Sequence, residues 1–135
     1  QLIINSRNTF WAIKRLLGRK YEDPHVTELQ SRVGYKIIRG PNGDAWVEDE
    51  WGRQYSATEV ASWIIKQMKS TAEAFTGETY TKANLSVPPY FTDPQRQALL
   101  EAAKMAGMIN ILVLIILLNN IYLCLNHHHF TSHRT

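Results

Sequence analysis

The stretch NLSVPPYFTDPQRQALLEAAKMAG, residues 84–107, sets a short apolar run against an abrupt helix start, with two prolines between them. ANLSV reads as a buried strand ending at Pro88, because proline lacks a backbone N–H and cannot continue a central ladder. Asp93 as cap and Pro94 at the first helical position then predict a helix over QRQALLEAAKMAG that stops at Gly107.

The segment before this joint is also helical. In SATEVASWIIKQMKSTAEAFTG, Ser56 and Glu59 have capping-box spacing. Val60, Ile64, Met68, Ala72 and Phe75 recur at helical intervals, Lys66 and Lys69 fall on wetter sides, and Gly77 closes the helix. Further back the period changes. YKIIRG and AWVED read as strands joined by the Asn-Gly hairpin signal of PNGD, and EWGRQYS turns into a third strand. Ile37, Trp46 or Val47, and Tyr55 are the expected face residues of this meander. YEDPHVTELQSR reads as loop with one helical turn near Val26 to Gln30. NTFWAIKRLLGRK reads as a short helix capped at Asn8 or Thr9 and stopped by Gly18, with Phe10, Ile13, Leu16 and Leu17 inward. Strand, helix, strand, helix gives an α/β fold class with a small antiparallel meander and flanking helices.

Composition bounds the function. At 135 residues, 44% apolar and 20% charged, the chain has the make-up of a folded domain or part of one. A net charge of +3, with Lys and Arg scattered among acids, gives no nucleic-acid footprint. Cys124 is the single cysteine, so no intrachain disulfide forms. The chain opens without Met, as if cut from something longer, and without a basic and apolar leader.

Beyond Met108 the character shifts to Ile, Leu, Asn and His without any acid. Residues 109–125 fall short of the ~20 apolar residues that a membrane helix needs and are interrupted by asparagines, so a membrane span is not expected. Cys124 with His127, His128, His129 and His133 matches a metal site by ligand type only, and no metal site is expected there. The composition is that of translated AT-rich noncoding sequence, and residues 109–135 are expected to lie outside the fold.

NTFWAIKRLLGRKYEDP, KIIRGPNGDAWVE, MKSTAEAFTG and SVPPYFTDPQRQA stand in the order and spacing of the DnaK-type seventy-kilodalton heat-shock chaperones, and the chain resembles that family over residues 5–108. NGDAWVE is similar to the bacterial and mitochondrial branch, which implies the mitochondrial matrix, or a bacterial cytoplasm as the alternative. The resemblance implies part of an actin-like (ribonuclease H-like) ATPase domain. Residues 1–55 would be a partial outer subdomain, 56–108 a partial inner one and 109–135 a divergent hydrophobic and His-rich tail.

The implied function is a partial ATPase domain of an ATP-dependent molecular chaperone that assists protein folding, with ATP and Mg2+ as cofactors. Unfolded polypeptides, a J-domain co-chaperone and a nucleotide-exchange factor are the implied partners. By resemblance Lys14 is the catalytic lysine that reaches the γ-phosphate and the attacking water, where a fixed ammonium stabilises developing charge. Arg15 is similar to a neighbouring arginine near the nucleotide. Pro88 resembles the family's switch proline and Arg96 the arginine that relays it, while Asp93 caps a helix and matches an acid near the interdomain linker.

The chain departs from the pattern at Pro89, Thr92 and Pro94, and has Leu99 and Leu100 where the family has a Thr-Lys pair. Both phosphate loops of the family are expected to lie outside these residues, which implies no ATPase activity from the chain alone. The alternative is a truncated, catalytically inactive module that binds co-chaperones.

Overall fold

Asn42 and Gly43 turn the chain where the sequence places a hairpin. Gly43 adopts φ 82°, a left-handed conformation that glycine reaches without steric cost, and its amide donates to the Gly40 carbonyl at 3.0 Å. The computed structural model describes residues 7–117 and 120–124. In it β1 (Lys36–Arg39) pairs antiparallel with β2 (Ala45–Glu48), and β2 with β3 (Gln54–Ser56). Ile37 stands opposite Val47, and both are buried. Trp46 points to the other face and is only half-buried, so Val47, together with Ala45, faces the core from β2. Lys36 and Glu48 close the outer end of the pair with a 2.7 Å ion pair.

Two helices and a turn pack around this meander. α1 (Pro24–Gln30) is a full short helix where a loop with one turn was expected. Asp23 nucleates it by accepting from the His25 amide, and Pro24 is preset for the first turn. The predicted helix over residues 8–20 is absent. Ala12 takes φ 57°, which breaks the helical path, and only a 3-10 turn forms at Ile13–Arg15. Ile13, Leu16 and Leu17 are nonetheless buried as expected, since successive turns place them inward as well as a helix would.

α2 (Ala57–Thr76) starts directly from β3, with the Ser56 hydroxyl accepting from the Glu59 amide at 3.0 Å, and ends at Gly77. The apolar stripe read from its sequence is buried only near the start. Val60 is 4% exposed, whereas Ile64, Met68 and Phe75 are 50%, 68% and 92% exposed. A helix of 20 residues runs about 30 Å, and its second half outruns the layer beneath it.

The second sheet contains β4 (Lys82–Val87), β5 (Asn110–Leu117) and β6 (Asn120–Cys124). β4 and β5 run parallel, from Lys82 opposite Asn110 to Val87 opposite Ile115, with α3 (Asp93–Met105) as the crossover between them. β6 returns antiparallel to β5. The expectation that residues 109–135 lie outside the fold is therefore corrected for this segment: Ile and Leu side chains suit a strand, and Val113 is buried in the core. Cys124 ends β6, and His127, His128, His129 and His133 lie outside the described residues.

α2 packs on α3, and one contiguous core runs from Leu16 and Leu17 through Ile37 and Val47 to Val60, Val87, Phe91 and Ala102. Leu99 and Leu100, the departures from the family pattern, are buried in it. Among the described residues no helix is long and apolar enough to cross a membrane.

Candidate functional site

The 3-10 turn approaches the end of β4 and the start of α3. Gly18 makes this approach possible. At φ 64° it lies so close to the start of α3 that a Cβ there would stand 2.6 Å from the Gln95 nitrogen and from the Pro94 carbonyl carbon and oxygen. From this turn Lys14 extends toward β4, and its Nζ donates to the Ser86 carbonyl at 3.2 Å. The same ammonium stands 5.7 Å from the centre of the Phe91 ring, within reach of a cation–π attraction.

Pro88 ends β4 as its missing N–H requires, and a tight turn follows in which the Phe91 amide donates to the Pro88 carbonyl at 3.1 Å. Arg96, one turn into α3, reaches back over this joint. Its Nε and Nη2 donate to the Phe91 carbonyl at 3.3 and 2.8 Å. Pro88, Phe91 and Arg96 thus form a chain of three residues linked through successive backbone carbonyls.

Asp93 is not the cap of α3. The cap is Thr92, whose amide donates to Gln95 Oε1 at 3.0 Å, because Gln95 stands three residues on and can turn back to it. Asp93 occupies the first helical position with its side chain 94% exposed, 3.5 Å from Arg96 Nη1. Its charge there favours the helix N-terminus.

Lys14, Arg15 and Pro88 line one cavity of about 610 Å³, together with Arg19, His25, Glu28, Phe91 and Gln95. Arg96 is not among its lining residues but grips the carbonyl of Phe91, which is, and Asp93 is not among them either. Lys14 also borders a second, mostly apolar cavity of about 440 Å³ between the 3-10 turn, α2 and β4.

Arg19, Phe91 and Gln95 escaped the sequence reading. Arg19 pairs with Asp23 at 2.8 Å. Partial burial alone would raise the Asp23 pKa, but the His25 amide and the Arg19 guanidinium outweigh it and hold the carboxyl below its ordinary value. The Thr-x-x-Gln spacing at Thr92 was the available signal for Gln95.

The sequence model of the Hsp70 protein family matches residues 1–116, and so runs through most of β5 rather than stopping near Met108. A heat shock 70-related protein 1, mitochondrial, from Leishmania major is 45% identical over 108 residues, which cover 80% of this chain and 17% of that protein. A mitochondrial heat shock 70 kDa protein from Solanum tuberosum is 47% identical over 108 residues, covering 80% of this chain and 16% of its own length. The chain thus spans about one sixth of the length of the curated relatives it matches, at 17% and 16%.

Proposed function

The chain belongs to the Hsp70 family, and from that premise we propose that it forms one wall of the ATP cleft in an ATP-dependent chaperone. The mixed architecture supports an actin-like assignment. The meander side, up to residue 55, is the outer subdomain, and α2 with the β4–α3–β5 unit belongs to the inner one. The observation that carries the reading is the convergence of Lys14 and Pro88 on one cavity, although 74 positions separate them in sequence.

Lys14 is the group that faces a terminal phosphate. Its contacts with the Ser86 carbonyl and the Phe91 ring hold the ammonium at the Pro88 joint, so its charge is positioned before any anion arrives. Arg15, exposed beside it, supplies a second cation toward the nucleotide. When bound, ATP supplies the phosphoryl group and Mg2+ neutralises charge on its oxygens. These residues fit the phosphate end through Lys14 and Arg15. Among the described residues no group of three His, Cys, Asp or Glu is placed to hold a metal ion.

Pro88 and Arg96 carry the switch. A change at Pro88 moves its carbonyl, hence the Phe91 amide bonded to it, hence the Phe91 carbonyl gripped by Arg96. Asp93, exposed beside Arg96, offers a contact for an interdomain linker. The longer protein would bind unfolded polypeptides with a J-domain co-chaperone and a nucleotide-exchange factor, and its place would be the mitochondrial matrix, a reading supported by the word mitochondrial in the names of both relatives.

The test is phosphorus NMR of ATP titrated with the 135-residue chain. The γ-phosphate resonance is expected to broaden and shift more than the α-phosphate, and Lys14→Ala to remove the difference. Equal perturbation of all three phosphates, unchanged in Lys14→Ala, would overturn the reading.

A further inference from the structure

The chain's one Asn-Gly pair, Asn42-Gly43, forms the hairpin turn and carries a chemistry of its own. An asparagine carboxamide is an electrophile, and the backbone nitrogen of the next residue attacks it when no side chain crowds that nitrogen. Here the next residue is Gly43, and beyond its chain neighbours no atom stands nearer than 3.8 Å to the position a Cβ would take. Asn42 is exposed, so water reaches it.

The folded hairpin nevertheless holds both reacting groups apart. The Gly43 amide donates to the Gly40 carbonyl at 3.0 Å, and the Gly43 carbonyl accepts from the Tyr21 amide at 3.0 Å. The Asn42 carboxamide is bound at both ends: Oδ1 accepts from the Asp44 amide at 3.1 Å, and Nδ2 donates to Asp44 Oδ2 at 2.8 Å. Lys20 ties the turn down, its Nζ donating to the Asn42 carbonyl at 3.3 Å and to Asp44 Oδ1 at 2.5 Å. For attack, the Gly43 nitrogen must leave the Gly40 carbonyl and the carboxamide must leave Asp44. Reaction therefore proceeds from an opened turn, whose population is set by the local opening free energy. Because Asn42 is exposed, the protection lies in these hydrogen bonds and not in exclusion of water.

We propose that Asn42 is a deamidation site held off by the closed hairpin, so that its conversion marks chains whose hairpin has opened. The Gly43 nitrogen gives its proton to hydroxide or water and forms a bond to Asn42 Cγ. The Cγ–Nδ2 bond breaks, and the amine takes up a proton and leaves as ammonia. Water then adds to the five-membered imide: cleavage of the new Cγ–N bond gives aspartate, and cleavage of the original Asn42 C–N bond gives isoaspartate, with the main chain rerouted through the side chain. The net reaction consumes one water and releases one ammonia, with no change of oxidation state. Loss of ammonia makes the mark permanent. The aspartate product sets a second carboxylate where Nδ2 met Asp44, so the same clasp does not re-form. Neither Asn42 nor Gly43 lines the cavity of Lys14 and Pro88, and the inference does not rest on the ATP-cleft reading.

The experiment incubates the full chain at neutral pH in oxygen-18 water, with and without unfolding guanidinium chloride, and follows the tryptic peptide of residues 40–53 by mass spectrometry. That peptide contains Asn42 as its only asparagine, and oxygen-18 uptake separates conversion during incubation from conversion during digestion. Conversion is expected to be at least about tenfold slower in the folded chain than in the unfolded one. Asp44→Ala removes the acceptor of Nδ2 but keeps the backbone amide, and is expected to speed folded-state conversion about tenfold, the factor that loss of a charge-assisted hydrogen bond gives.

A second measurement carries the test if Asp44→Ala does not fold. In the unaltered chain at rising guanidinium concentrations below the unfolding transition, the conversion rate is expected to follow the hydrogen-exchange rate of the Gly43 amide, because both need the turn to open. Equal conversion in folded and unfolded chains, a folded Asp44→Ala variant that converts no faster, or conversion that does not follow Gly43 exchange overturns the proposal.

Discussion

Arg96 turns back over the start of its own helix and binds the Phe91 carbonyl with two donors, Nε at 3.3 Å and Nη2 at 2.8 Å. Phe91 is 5% exposed, and its ring also lies beneath the Lys14 ammonium. The guanidinium therefore fixes the loop that connects the strand of Pro88 to α3, and it does so at a backbone atom that any residue at position 91 would present.

Replacement of Arg96 by Ala is expected to lower stability by about 1–3 kcal/mol, the cost of leaving a buried carbonyl without its charged donors. Arg96→Lys recovers only part of this, since an ammonium cannot offer the two-pronged geometry. Urea unfolding of both variants measures the difference. Equal stability of Arg96→Ala and the unaltered chain would show that the contact does not hold the loop.

Gly18 gives a second expectation. Its φ of 64° and the 2.6 Å approach to Gln95 and Pro94 backbone atoms leave no place for a methyl group. Gly18→Ala is expected to cost roughly 2–5 kcal/mol from left-handed backbone strain and overpacking combined. Gly52, also at positive φ (79°) but with nothing within 4 Å of its would-be Cβ, is the control: Gly52→Ala bears the backbone strain alone and loses less. Thermal unfolding of the pair distinguishes steric crowding from backbone strain.

The loop after β2 sets a pH dependence. The Asp49 side chain is 6% exposed and accepts from the Trp51 and Arg53 amides at 3.0 and 2.9 Å, from Arg53 Nε at 3.0 Å and from the Tyr55 hydroxyl at 3.2 Å. Burial alone would raise its pKa, but the two amides and the guanidinium outweigh that and hold it below the ordinary carboxylate value. A depressed folded pKa stabilises the fold above the unfolded value of about 3.9, and that stability is lost as pH falls through the folded pKa. Asp49→Asn should flatten this part of the stability profile between neutral and strongly acidic pH, as read by denaturant midpoints.

Much of this arrangement was legible in the sequence, and the failures have physical causes. The Asn42-Gly43 hairpin and the Pro88 strand end were readable because each depends on a residue with a restricted or special backbone. The helix expected over residues 8–20 failed at Ala12, whose left-handed φ no local signal announces. Apolar spacing also overstated the core of α2. Periodicity tells which side of a helix is apolar, but whether another layer covers Met68 and Phe75 depends on where that helix lies in space.

At the site, Lys14, Arg15 and Pro88 came from the family pattern and converge on one cavity. Asp93 was misassigned by one position because Thr92 and Asp93 are both good caps, and the Gln95 side chain selects Thr92. Arg19 and Gln95 carried no signal as a pair, since only the close approach at Gly18 brings their segments together.

The proposed cleft depends first on Lys14 facing the phosphate end of a bound nucleotide. Its most direct test is labelling of the chain with an acyl-phosphate derivative of ATP, which acylates a lysine lying beside the phosphates, followed by peptide mass spectrometry. Lys14 is expected to be modified ahead of Lys20, Lys36 and the other lysines, and excess ATP to suppress this modification. Equal labelling of the exposed lysines, or Lys14 labelling that ATP does not reduce, would contradict it.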